Sequence, residues 1–135
     1  MSQENVETLK RGFEAFNRGD INAMLEEFDP DVEWHTASDI PDSTVYRGHD
    51  GVASLIQEWV NSFEDFRVDA EELIDRGEYV VLSVVLRGRI PGSLESDREV
   101  TLRRFGVDKV RNGKIVEVRE YMTLEQALEA VGLSE

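Results

Sequence analysis

Val6, Leu9, Phe13 and Phe16 recur at steps of three and four residues, the spacing that gathers side chains onto one stripe of a helix. Asn17-Arg18-Gly19-Asp20 interrupts the stripe. Gly19 suits a left-handed helix terminus, and the carboxylate of Asp20 can cap the helix that follows. Ile21, Met24, Leu25 and Phe28 give that second, short helix its apolar side, and Asp29-Pro30 is expected to stop it. Alternation in Val32-Glu33-Trp34-His35-Thr36 predicts a strand, and a polar loop with Pro41 leads on to Tyr46-Arg47-Gly48-His49-Asp50-Gly51. Asp50 is the expected cap of a third helix, with Val52, Leu55, Ile56, Trp59, Val60 and Phe63 on one face.

From Phe66 the period falls from near 3.6 to 2, with Phe66, Val68 and Ala70 alternating against Arg67, Asp69 and Glu71. A turn at Asp75-Arg76-Gly77-Glu78 enters a β-branched strand in which Val80, Leu82, Val84 and Leu86 share a face, ended by Pro91-Gly92. A long strand from about Arg98 to Val110 joins Ile115–Met122 through Arg111-Asn112-Gly113-Lys114. Asn-Gly is a strong hairpin signal because both residues tolerate positive φ. Thr123-Leu124-Glu125-Gln126 reads as a capping box for a last short helix carrying Leu124, Ala127, Leu128 and Val131, closed by Gly132. The pattern predicts an α+β fold: helices around one early strand, an antiparallel meander that bends over them, and a terminal helix. A sheet bent in this way leaves a pocket wherever its concavity is incompletely filled.

Composition narrows the chemistry. At 135 residues without repeat or linker, the chain reads as one domain, 1–135, with a single core. No cysteine is present, which removes thiol nucleophiles, CxxC redox pairs and thiolate zinc sites. A formal charge of -14 opposes nucleic acid and anionic membranes as partners, since both are bound through cationic groups. The start Met1-Ser2-Gln3-Glu4-Asn5 lacks a signal peptide's basic and apolar regions, and no apolar run approaches the roughly 20 residues that span a bilayer. A cytoplasmic protein is expected. Two histidines and scattered carboxylates lack HExxH-type spacing, so no metal site is expected. Neither a P-loop nor a serine elbow is present.

The candidate chemistry sits on the last strands. Val116, Val118 and Met122 define an apolar face, and a period of two puts Glu120 on it, with Ile115, Glu117, Arg119 and Tyr121 opposite. A carboxylate in an apolar concavity is a candidate general acid or base; equally, it can pair with an interior arginine or hydroxyl. The preceding strand reads two ways. Val100, Leu102 and Val110 put even positions inside, bringing Arg104 and Asp108 with them, whereas Phe105 and Val107 favour the odd face. On the even reading Arg104, Asp108 and Glu120 form a polar cluster, either a ligand site or an internal ion pair. Trp34 and Thr36 are expected to face the interior, leaving His35 beside Glu33 outside, and His49 is expected to be a solvated neighbour of a helix cap. Phe13, Phe16, Trp34, Trp59 and Phe63 either line a cavity for a planar molecule or form ordinary core, and Tyr46 could bring a hydroxyl to its mouth.

Taken together, Phe16-Asn17-Arg18-Gly19-Asp20, Phe28-Asp29-Pro30-Asp31-Val32-Glu33-Trp34-His35, Tyr46-Arg47-Gly48 and Asn112-Gly113-Lys114-Ile115-Val116-Glu117 resemble the nuclear transport factor 2-like superfamily. Within it, the chain looks like the SnoaL-like and ketosteroid-isomerase-like proteins. The resemblance implies a cystatin-like cone, a pocket at the wide end, and a homodimer packed through the outer face of the sheet. It argues against steroid isomerase activity, because Gly12, Thr36 and Phe105-Gly106 stand near the places of that enzyme's phenol, base and protonated acid. SnoaL-like cyclases carry an essential acid on the last strand, and Glu120 occupies the matching place. The functional expectation is a pocket for a small, largely apolar molecule with a carbonyl or hydroxyl, with proton transfer by Glu120 and no cofactor. A protein that binds without catalysis, or an interaction protein, is the alternative.

Overall fold

The structure is a computed structural model, and it describes residues 2–36, 44–90 and 99–132. Helix α1 (Ser2–Asn17) buries Val6, Leu9 and Phe16 along its predicted stripe. Gly19 takes a φ of 83°, and an Asp20 carboxylate oxygen accepts from the Ala23 backbone N–H at 3.0 Å to cap α2 (Ile21–Leu25). That helix is shorter than its apolar pattern. Phe28 already belongs to β1 (Phe28–His35), where it pairs with Ile115, so Asp29 and Pro30 lie inside a strand rather than at a helix end.

A three-residue strand, β2 (Val45–Arg47), leads directly into α3 (Gly48–Ser62). The cap position of α3 is Arg47, without a side-chain cap bond, and Asp50 sits within the first turn. The apolar face of α3 carries Val52, Leu55 and Ile56 into the core but leaves Val60 exposed, and Phe63 falls just past the helix. Strands β3 (Glu64–Arg76), β4 (Tyr79–Arg89), β5 (Glu99–Arg111) and β6 (Lys114–Tyr121) form the meander, and α4 (Leu124–Ala130) follows. The Pro41 loop and the Pro91-Gly92 stop fall outside the described residues.

Among the described residues the strands form one six-stranded sheet in the order β2-β1-β6-β5-β4-β3, antiparallel except for β1 with β6. Strand β4 is buried on both faces. Val80, Leu82, Val84 and Leu86 meet the helices inside, while Val81 packs with Val107 under Ala127 of α4 outside. Each such valine or leucine contributes about 1.5–3 kcal/mol through burial. The Asn17 amide ties α1 to the edge strand β3: it donates to the Val68 carbonyl at 2.7 Å and accepts the Val68 N–H at 3.0 Å. Among the described residues no helix is long and apolar enough to cross a membrane.

Two bulges change which residues face the core. In β5–β6 the register moves from Lys109↔Glu117 to Val110↔Ile115, which turns Ile115 inward with Val118 and removes Val116 from the inner face. The expected placement of Ile115 outside and Val116 inside is therefore corrected. In β3 a second shift beyond Ala70 leaves that residue exposed, although Phe66 and Val68 pack inside.

Candidate functional site

The concave face of the sheet does not close completely on the helices. A cavity of about 100 Å³ lies between them, roofed by Leu9, Phe13 and Phe16 of α1 and by Ile56 and Trp59 of α3. Trp34 and Phe28 of β1 close one side. The rings form one continuous system: Trp34 stands edge-on to Trp59 at 5.9 Å between centroids and lies 6.2 Å from Phe28. An unfilled space of this size among aliphatic and aromatic side chains suits an apolar guest.

The polar side chains of the cavity all come from neighbouring strands. Register pairs Gly106 with Glu120 and Asp108 with Val118, and Arg104 lies two residues before Gly106 on the same face. The even reading of β5 therefore holds from Arg104 to Val110, although Leu102 is exposed and Phe105 also reaches the cavity; Arg104, Asp108 and Glu120 are the ionisable residues lining it among the described residues. Val107, on the odd face, belongs under α4. Glycine is required at position 106, where a Cβ would stand 2.9 Å from the Arg119 carbonyl oxygen of β6.

Glu120 points inward as its alternation requires. Its Oε2 accepts the indole N–H of Trp34 at 2.9 Å, a bond that follows from the parallel pairing of Trp34 with Val118, two residues before Glu120. Asp108 lies deeper and is only 6% exposed. Its Oδ1 has no hydrogen-bond partner among the described residues. Burial first, and then the charge of Glu120, push the Asp108 carboxyl up to about 8. At neutral pH this side chain is a neutral acid.

Other residues singled out in the sequence lie elsewhere. Thr36 sits just beyond β1 and clamps Thr44, accepting its N–H at 2.7 Å and donating to its carbonyl at 3.0 Å. Tyr46 is on β2; its hydroxyl donates to Glu58 of α3 at 3.5 Å instead of lining the cavity. Burial, followed by Glu58 and Glu120, raises the Tyr46 phenol. Phe63 stands behind the wall, stacked on Phe66 at 5.6 Å and filling the space above Gly88. His49 is not solvated: it is half-buried, and its Nε2 lies 2.9 Å from the Phe28 carbonyl. Phe28 and Met24 were not expected in the wall, because the helical pattern of Ile21–Phe28 concealed the strand that carries Phe28.

On the outer face His35 Nε2 lies 3.1 Å from Glu33 and 3.9 Å from Glu117, and the three offer ligand atoms within 4.8 Å of one another. Arg47 pairs with Glu33, and Arg119 pairs with Glu117 at 3.1 Å, so the charge of both carboxylates is already balanced. The hydrogen bond to His35, ahead of Arg47, holds the Glu33 carboxyl below its ordinary range.

A bent sheet enclosing a cavity against N-terminal helices defines the nuclear transport factor 2-like class of cone folds. The chain belongs to the SnoaL-like domain family, whose sequence profile matches residues 9–118. Its fold is shared with a nuclear transport factor 2-like protein of unknown function from Burkholderia pseudomallei, at 23% identity, 96% and 98% coverage of the two chains and a TM-score of 0.74. A putative SnoaL-like polyketide cyclase from Jannaschia is 18% identical over 99% of this chain and 94% of that one, with a TM-score of 0.74. TerC, crystallised with polyporic acid, is 21% identical over 95% and 98%, also with a TM-score of 0.74. No curated protein sequence matches the chain.

Proposed function

We propose that this SnoaL-like protein encloses a small, largely apolar molecule bearing a carbonyl or hydroxyl, and moves a proton on it through Glu120. The observation that carries the reading is a carboxylate held by Trp34 in the wall of a largely apolar cavity. In the active form Glu120 takes a proton from the carbon beside a carbonyl. The C–H electron pair becomes the new C=C bond, and the carbonyl π pair moves onto oxygen. Returning the proton to carbon completes a cofactor-free cycle. Arg104, on the same wall, favours the negative charge that develops on that oxygen. The co-crystallisation of TerC, which shares this fold, with polyporic acid supports a small-molecule ligand.

The direct test is exchange of the α-hydrogens of cyclohexanone in D2O, followed by proton NMR. Wild-type protein is expected to accelerate exchange over buffer, and Glu120→Gln is expected to lower the rate by about 10²- to 10⁴-fold. An unchanged rate in Glu120→Gln removes the catalytic part. Occupancy without exchange in the wild type selects the second reading, binding without conversion. That reading is favoured by the resemblance to steroid isomerases, whose reactive groups fall near Gly12, Thr36 and Phe105-Gly106 in this chain. The proposal includes a homodimer through the outer face of the sheet, and sedimentation velocity giving a monomer at micromolar concentration would remove it.

A further inference from the structure

We propose that Asp108 meets the ligand as a neutral carboxylic acid that donates its O–H to an acceptor oxygen, so that the cavity selects carbonyl compounds over hydrocarbons of the same shape and over cations. The inference rests on the reading above that the cavity holds a small molecule. Three observations of geometry carry it. Asp108 lines the cavity, it is almost wholly buried, and its Oδ1 is unpartnered among the described residues. A buried polar atom left without a partner is costly, and a guest that supplies the partner recovers that cost on binding.

The sign of the guest follows from the groups that face Asp108. Strand β6 presents Glu120 and β5 presents Arg104, whereas the helices, β1 and β4 present apolar side chains to the cavity. Tyr46, beyond the wall, lies within the field of Glu120. Buried, and with a like charge at Glu120, Asp108 retains its proton up to about pH 8 and faces the cavity as a donor. Arg104 on the same wall offsets the charge of Glu120, so a largely apolar cavity whose wall carries no net charge gives a cationic guest nothing to offset its lost hydration. An oxygen acceptor remains, and in the proton-transfer reading it is the oxygen on which charge develops.

The chain's two tryptophans, Trp34 and Trp59, both line the cavity, so intrinsic emission reports its occupancy. Cyclohexanone, its hydrocarbon isostere methylenecyclohexane and cyclohexylamine are titrated at about pH 6 and about pH 10 into wild type, Asp108→Asn and Asp108→Leu. Circular dichroism checks that each variant is folded. Wild type is expected to bind the ketone roughly tenfold more tightly than the hydrocarbon at the lower pH and to lose that preference at the higher. Asp108→Asn, whose amide also donates, keeps the preference at both, and Asp108→Leu loses it at both. An unaltered ketone preference in Asp108→Leu, or tighter binding of the amine than of the ketone by wild type, overturns the role of Asp108 while leaving the pocket in use. Silence of both tryptophans towards every probe overturns the pocket reading and this inference with it.

Discussion

Asp108 is the residue at which the fold departs most from what stability alone would favour. A carboxyl group stands in an apolar wall with an oxygen unsatisfied among the described residues. Its ionisation is linked to folding. The unfolded chain loses this proton near 3.8 and the folded chain near 8, so between those values the folded state holds more protons. The contribution of Asp108 is therefore fully present below 3.8 and is lost as pH rises towards 8. Urea unfolding of wild type and Asp108→Asn at several pH values should show the variant gaining on the wild type from about pH 4 to about pH 8, with no further change above. Parallel stability curves would contradict the ionisation assigned here. The inward direction of Asp108 was only half legible. Its apolar even neighbours Val100, Leu102 and Val110 pointed inward, but Phe105 and Val107 pointed the other way with equal force. Periodicity cannot decide between faces when both are covered, and α4 covers the second one.

At the scale of elements, local signals were read best where one residue type answers one backbone demand. The Asn112-Gly113 turn is such a case: both residues have positive φ, at 53° and 76°. Thr123 is another, its hydroxyl accepting the Gln126 N–H at 3.1 Å, although the Gln126 side chain returns to Met122 and not to Thr123 itself. Signals that depend on pairing were not legible. The bulge opposite Val110 exchanged the faces of Ile115 and Val116, and nothing in a single strand's alternation announces an extra residue. Glu120 kept its predicted direction because the bulge precedes it. Strand β2 is too short to show a period, and Phe28 followed the helical spacing of Ile21, Met24 and Leu25 into a strand. These are tertiary choices: β6 pairs with β1 in parallel and holds Phe28 against Ile115.

For the whole molecule, the cone was legible because many weak features occur in one order, while of the candidate site the inward direction of Glu120 was legible from its strand alone. Trp34 shows the limit. Its inward direction followed from alternation, but its bond to a carboxylate 86 residues away exists only once β1 and β6 are paired. Tyr46 and Thr36 show the converse: one was expected at the pocket mouth and the other facing the interior, and both are engaged in holding neighbouring segments together. What remains at the site is an aromatic box with a carboxylate, a neutral acid and an arginine along one wall. The most direct test of that account is a crystal structure of the protein grown with saturating cyclohexanone. The ring is expected in the cavity against Trp34 and Trp59, with its oxygen at hydrogen-bond distance from Asp108 and its α-carbon facing Glu120. A cavity left empty at saturation, or a ketone bound only elsewhere on the surface, would contradict it.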